Sequence, residues 1–147
     1  MLAECRHLVV DGHSVVFALP ALRRLHASRP REARAALVRA LQHFQDFSGI
    51  RVSLAFDGRE GAGDPGTPDS IEVRYASRHQ TADALIERAV ASHGQPSELV
   101  VVTGDGRERT TVESLGARTL TPEGLLDWIR ETCPSNPIDQ ISPSPAK

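Results

Sequence analysis

Apolar positions along the chain fall into two rhythms. His7-Leu8-Val9-Val10, Val52-Ser53-Leu54-Ala55-Phe56 and Leu99-Val100-Val101-Val102 are short, nearly continuous apolar runs, the pattern of strands covered on both faces of a parallel sheet. Between them the period lengthens. Ala33, Leu37, Ala40, Leu41 and Phe44 recur at three- and four-residue intervals after Pro30 and stop at Gly49, which predicts a helix over 30–48 with one buried stripe. Pro20 opens a shorter helix to about residue 27. Thr81 is a good N-cap for a helix over 82–92 with Leu85, Ile86, Ala89 and Val90 inward. Residues 105–114 suit another helix, and Thr121-Pro122-Glu123 starts a last one to about Thr132. Ile71 to Tyr75 alternates apolar and charged residues, as an edge strand does, and Ala117 to Leu120 suits a short final strand. Residues 11–20 and the Gly- and Pro-rich stretch 57–68 read as loops. Strands alternating with helices imply an α/β fold, a three-layer α/β/α sandwich around a mostly parallel central sheet. The expected domain spans residues 1–133, followed by a disordered Pro- and Ser-rich tail over 134–147.

Composition narrows this picture. A chain of 147 residues, 39% hydrophobic, buries a proper core in one domain. Cys5 and Cys133 lie near opposite ends without CxxC or Cys/His spacing, which argues against structural zinc and a disulfide scaffold. No apolar run reaches the roughly 20 residues of a membrane-spanning helix, and Glu4 and Arg6 sit where a signal peptide is apolar. The expected location is the cytoplasm. A net charge of -2 is wrong for a globally basic nucleic-acid binder, and Lys147 is the only lysine among many arginines.

Chemistry concentrates in acids that follow the strands. Asp11 closes the first run, Asp57 the second, and Asp105 lies just beyond the fourth strand, so all three approach the carboxyl edge of one sheet, where α/β folds hold their ligands. Asp83, in the first turn of the 82–92 helix, can point back over that edge, and Glu87 shares its helix face one turn on. Clustered carboxylates repel unless a cation or proton intervenes. A hard divalent ion with oxygen ligands, Mg²⁺ or Mn²⁺, suits such a set. Singly, each acid also has a plain structural use: Asp83 favours a helix dipole, Asp105 a cap, Asp57-Gly58 a turn. His13 and His79 flank the acids and are candidates for phosphate contact or proton transfer. Arg78, Arg107 and Arg109 lie near the same edge and could track a phosphate backbone; solvated helix faces are the competing explanation. Arg23, Arg24, Arg29, Arg31 and Arg34 gather on the first two helices.

Rival chemistries fit less well. Gly61-Ala62-Gly63-Asp64-Pro65-Gly66 satisfies GxGxxG, but no helix start follows it to meet a pyrophosphate. A phosphoryl-aspartate enzyme would need a second acid where His13 stands, and a lysine in the site. No Gly-Lys-Ser/Thr allows a P-loop, and Ser14 is not in a GxSxG elbow.

With the acids in place, Val10-Asp11-Gly12-His13-Ser14-Val15-Val16 resembles the opening motif of NYN-domain proteins, relatives of PIN-domain nucleases, and in particular the YacP-like branch. Phe56-Asp57-Gly58, Thr81-Ala82-Asp83 with Ile86-Glu87, and Val102-Thr103-Gly104-Asp105 resemble the segments carrying its further acids, over about residues 6–132. Where the family has Tyr-Asn after Asp-Gly, this chain has His13-Ser14, a hydroxyl in place of an amide. The resemblance implies a PIN-like endoribonuclease in which Asp11, Asp57, Asp83 and Asp105 hold one or two Mg²⁺ or Mn²⁺ ions. Glu87 would be a further metal contact, and Ser14, His13, Arg78, Arg107 and Arg109 would be substrate-binding groups. The implied partner is RNA, with ribosome association a family expectation. The alternatives are a non-catalytic RNA- or ribosome-binding module and, on the same architecture, a phosphatase or nucleotidase.

Overall fold

The computed structural model describes residues 4–58, 70–76 and 80–141. Five strands, β1 (His7–Asp11), β2 (Arg51–Phe56), β3 (Glu72–Tyr75), β4 (Leu99–Val102) and β5 (Arg118–Leu120), form one sheet in the order β3-β2-β1-β4-β5. Every neighbouring pair is parallel. The helices are α1 (Gly12–Ala18), α2 (Pro20–Ser28), α3 (Pro30–Ser48), α4 (Ala82–Ser92), α5 (Gly106–Ser114) and α6 (Pro122–Thr132).

Strand alternation sorts the core into two layers. Leu8, Val10, Val52, Leu54, Phe56, Val100 and Val102 face one side, where they pack with α1, α2, α3 and α6. Val9, Ala55, Leu99 and Val101 face the other, under Ala82, Ile86 and Val90 of α4 and Val112 of α5. The α/β sandwich expected from the sequence is therefore the observed fold, and the same parity decides the chemistry. Positions 7, 9 and 11 of β1 share the α4/α5 side, so Asp11 emerges under those two helices. Pairing of Asp11 with Ala55 and of Val10 with Val102 aligns the carboxyl ends of the three central strands.

Two segments depart from the sequence reading. Residues 12–18, expected as loop, are helical because Asp11 caps the turn: its side chain accepts from the Ser14 backbone N–H at 3.4 Å, while Val15 and Val16 bury the inner face. Pro20 then starts α2 and ends α1 at Ala18. The expected disordered tail is ordered over its described part, residues 134–141. Ile138 is 2% exposed, and Ile141 packs on the α3/α6 side of the core. The buried Asn136 closes a turn by accepting from the Asp139 N–H at 3.0 Å, and Arg130 of α6 grips Asp139 in a two-pronged ion pair at 3.0 and 2.8 Å. Two isoleucines among prolines and serines are too few to stand out in composition, yet enough to dock a short segment. Most of the 57–68 stretch, with the GxGxxG pattern, lies outside the described residues.

Gly12 leaves no room for a side chain. An added Cβ would sit 2.4 Å from the Phe56 ring and 2.9 Å from the Ala55 carbonyl oxygen. The close approach lets α1 turn directly over the end of β2.

Candidate metal centre

Three carboxylates meet at the carboxyl edge, one from each of three elements. Asp11 comes from the end of β1, Asp83 from the first turn of α4 and Glu108 from the first turn of α5. One ligand oxygen from each lies within 4.8 Å of the others. The last strand residue leaves the sheet on the α4/α5 side, and both helices begin at that edge, so acids in their first turns lean over it.

Asp11 is 5% exposed and Glu108 1%. Asp11 is well held: Ser14 Oγ donates to Oδ2 at 2.9 Å and Thr103 Oγ1 donates to the same oxygen at 3.3 Å. Thr103 is fixed in turn by the Asp105 backbone N–H, which donates to its hydroxyl at 3.1 Å. Glu108 is the opposite case, since neither carboxylate oxygen has a hydrogen-bond partner. Its pKa is pushed up to about 9, by burial first and then by the adjacent Asp83, with Asp11 adding to the rise and the nearby Thr103 hydroxyl opposing it. Burial also raises Asp11, against the lowering hydrogen bonds from Ser14, and Asp83 adds to the rise. Like-charged groups held this close cannot all ionise without a compensating cation. Two orphaned, buried oxygens beside two further carboxylates fit a hard divalent ion, which accepts an all-oxygen ligand set and completes its shell with water.

The expected ligands divide accordingly. Asp11 and Asp83 belong to the group. Asp57 and Asp105 stand on the same edge, but their oxygens serve helix ends: Asp57 Oδ1 accepts from the Ala82 N–H at 2.7 Å, and Asp105 Oδ1 accepts from the Arg107 N–H at 2.9 Å. Asp105 is the N-cap of α5 and turns back on its free N–H groups, while Asp57 reaches from the end of β2 to the first free N–H of α4, so neither is among the converging carboxylates. Glu87 is half-buried one turn beyond Asp83, deeper along α4 and outside the group. Ser14 touches Asp11, as stated. His13 accepts the Asp57 N–H on Nδ1 at 3.1 Å and sets its ring edge-on to Phe56. Arg107 is exposed and Arg109 half-buried, both on α5. Arg78 and His79 lie outside the described residues.

Sequence reasoning missed Glu108. A signal existed, because Glu108 and Val112 are four apart and form the buried stripe of α5. An acid on the apolar stripe of a short helix is the anomaly to look for. Thr103 was visible only as part of the β4 motif.

A parallel sheet in this order with a buried acidic cluster at its carboxyl edge is a nuclease-like α/β fold. Residues 8–140 match the model of the YacP-like NYN domain, and the chain belongs to that family. It is 31% identical over 122 residues to the uncharacterized protein YacP of Bacillus subtilis (strain 168), covering 81% of this chain and 72% of that one. The crystal structure of Rae1 (YacP) from Bacillus subtilis superposes with a TM-score of 0.73 at 28% identity, covering 90% of this chain and 75% of that one. Its W164L mutant gives 0.72 at 27% identity, covering 91% and 76%. Among the described residues no helix is long and apolar enough to cross a membrane.

Proposed function

We propose that this protein is a cytoplasmic Mg²⁺- or Mn²⁺-dependent endoribonuclease that hydrolyses RNA phosphodiester bonds at the Asp11, Asp83 and Glu108 site. The observation that carries the reading is the pair of buried, unpartnered Glu108 oxygens facing two other carboxylates. A divalent ion held there would supply Lewis-acid polarisation of the phosphate and a lowered pKa for the attacking water. The chain's own groups supply the rest. Asp11, Asp83 and Glu108 would hold the ion. Ser14 and Thr103 fix the Asp11 carboxylate so that its geometry is set before substrate arrives. Asp57 and Asp105, on the rim, hold the N-termini of α4 and α5 and with them Asp83 and Glu108. Arg107 and Arg109 of α5 would follow a phosphate backbone, and attack by water would leave 5′-phosphate ends. RNA is the proposed partner, with ribosome association following only from family resemblance.

Incubation of purified protein with single-stranded and structured RNA, in Mn²⁺ and in EDTA, tests the reading. Cleavage should need the metal and vanish in Asp11→Asn. Cleavage that persists in EDTA defeats it. A second reading, a non-catalytic RNA-binding module, draws on Ser14, whose hydroxyl engages Asp11 Oδ2 where the family places an asparagine. Calorimetric titration with Mn²⁺ separates the two, since the module has no need to take up metal.

A further inference from the structure

A ring surface runs outward from the metal centre. Ala82, next to Asp83, donates its N–H to Asp57, whose own N–H is received by His13. The His13 ring lies nearly parallel to Phe17, with centroids 6.0 Å apart and planes inclined by 12°. Phe17 in turn meets the His26 ring edge-on at 4.7 Å. Asp83, Asp57, His13, Phe17 and His26 therefore form one connected path from the acids across α1 to α2.

Phe17 is 46% exposed in a chain with few aromatics, less than Phe47 at 68%. An exposed ring on a mobile arm would mean little. Here the ring is held on two sides by histidines, and the Arg23 guanidinium donates to the Phe17 carbonyl oxygen at 3.1 Å, tying α2 to the end of α1. Arg23 is exposed beside it, and Arg24, the next residue of α2, is exposed as well. A fixed, partly exposed aromatic ring with a cation next to it is how sequence-tolerant single-strand sites bind: bases stack while arginines take the phosphates.

We propose that Phe17, supported by His13 and His26, is a stacking platform for an unstacked base of single-stranded RNA, with Arg23 and Arg24 on the adjoining phosphates. The platform rests on the ribonuclease reading, since it gives that site a way to hold a strand whose backbone crosses the acids. Phe17 is a positioning residue and touches no reacting atom. The surface prefers unpaired RNA, because a base within a duplex presents no free face to the ring.

The test uses full-length protein carrying Asp11→Asn, to prevent cleavage, and two fluorescent oligomers of equal length, oligouridine and an abasic ribose-phosphate chain. Adding Phe17→Ala should weaken oligouridine binding roughly 5- to 150-fold, the range for loss of one base–aromatic stack, and leave abasic binding unchanged. Phe17→Trp should keep oligouridine affinity and show fluorescence quenching as the strand binds, readable over the buried Trp128. Equal oligouridine affinity with and without Phe17→Ala overturns the platform and leaves the ribonuclease reading standing. Equal losses on both oligomers overturn it too, as the effect is then not stacking. If the protein with Phe17 intact binds neither oligomer and the wild type cleaves no RNA, the ribonuclease reading fails and the platform with it.

Discussion

The two ends of β1 place polar side chains on the same face of the sheet and treat them in opposite ways. At the start, His7 Nε2 lies 2.7 Å from Ser53 Oγ, Ser53 donates to Glu72 Oε1 at 2.8 Å, and Glu72 Oε2 receives Arg74 Nε at 2.7 Å. With the serine proton committed to Glu72, His7 donates from Nε2, and the chain runs donor to acceptor. At the other end Asp11 meets Asp83 and Glu108, three acids together, and both Glu108 oxygens are buried without a hydrogen-bond partner. Both ends hold a titratable group out of full solvent, half-buried at His7 and buried at Asp11, so withdrawal from water alone does not mark a site. A completed network is structure, whereas an incomplete one of a single charge sign is a demand for a ligand.

The largest effect expected from breaking this contrast is at the acids. Asp11→Asn and Glu108→Gln should each reduce RNA cleavage by about a thousandfold or more, the scale of losing several kcal/mol of metal-derived stabilisation, while Mn²⁺ titration shows weakened uptake. An active Glu108→Gln enzyme would remove Glu108 from the centre and favour the rim acids instead.

Stability should move the other way. A carboxyl whose pKa rises on folding from 4.5 to about 9 costs the metal-free fold increasingly as pH climbs between those values, because the folded state must keep a proton that the unfolded state releases. Glu108→Gln removes that cost, so in EDTA at neutral pH its melting temperature should rise on the order of 5 °C, and Mn²⁺ should stabilise the wild type but not the variant. A fall in melting temperature in EDTA would show that the unpartnered oxygens are not a strain on the fold.

The His7 end gives a smaller effect with a defined pH window. Burial, then the Arg51 and His93 charges, lower its pKa from 6.5 to about 4 against a raising contribution from Glu72. Above pH 6.5 the ring is neutral in both states and contributes nothing. As pH falls from 6.5 to 4 the unfolded chain gains a proton that the folded chain refuses, so stability drops, with a ceiling of about 3 kcal/mol and less in practice because the ring is only half-buried. Denaturant midpoints at pH 7 and pH 4.5 should diverge in the wild type and converge in His7→Gln, whose amide can still reach Ser53.

Smallest are the rim acids. Asp57→Ala and Asp105→Ala each remove the acceptor of a free helix N–H, worth about 1 kcal/mol, and should lower activity far less than Asp11→Asn does. A thousandfold loss in either would return it to the metal-binding set.

Much of this molecule is readable along the chain. Apolar runs ending in Asp11, Asp57 and the 103–105 segment marked the strands and the edge, and the 3.6-residue stripe of α3 was plain, because strand and helix periods are local properties of neighbouring side chains. Helix α1 escaped notice since its cap is Asp11 itself, read for chemistry rather than for structure. The docked segment after α6 escaped because two isoleucines carry little weight in composition.

The sequence by itself determined that Asp11, Asp57 and Asp105 reach the carboxyl edge, since a residue just past the end of a buried strand has nowhere else to go. Only the tertiary structure decided which acids meet. That choice depends on where α4 and α5 cross the sheet, which set Asp83 and Glu108 against Asp11 and turned Asp57 and Asp105 toward free helix N–H groups. Distances of a few ångströms between residues nearly a hundred positions apart are fixed by packing of the two helices on Val9, Val101 and Ala55, and periodicity along one chain does not contain them.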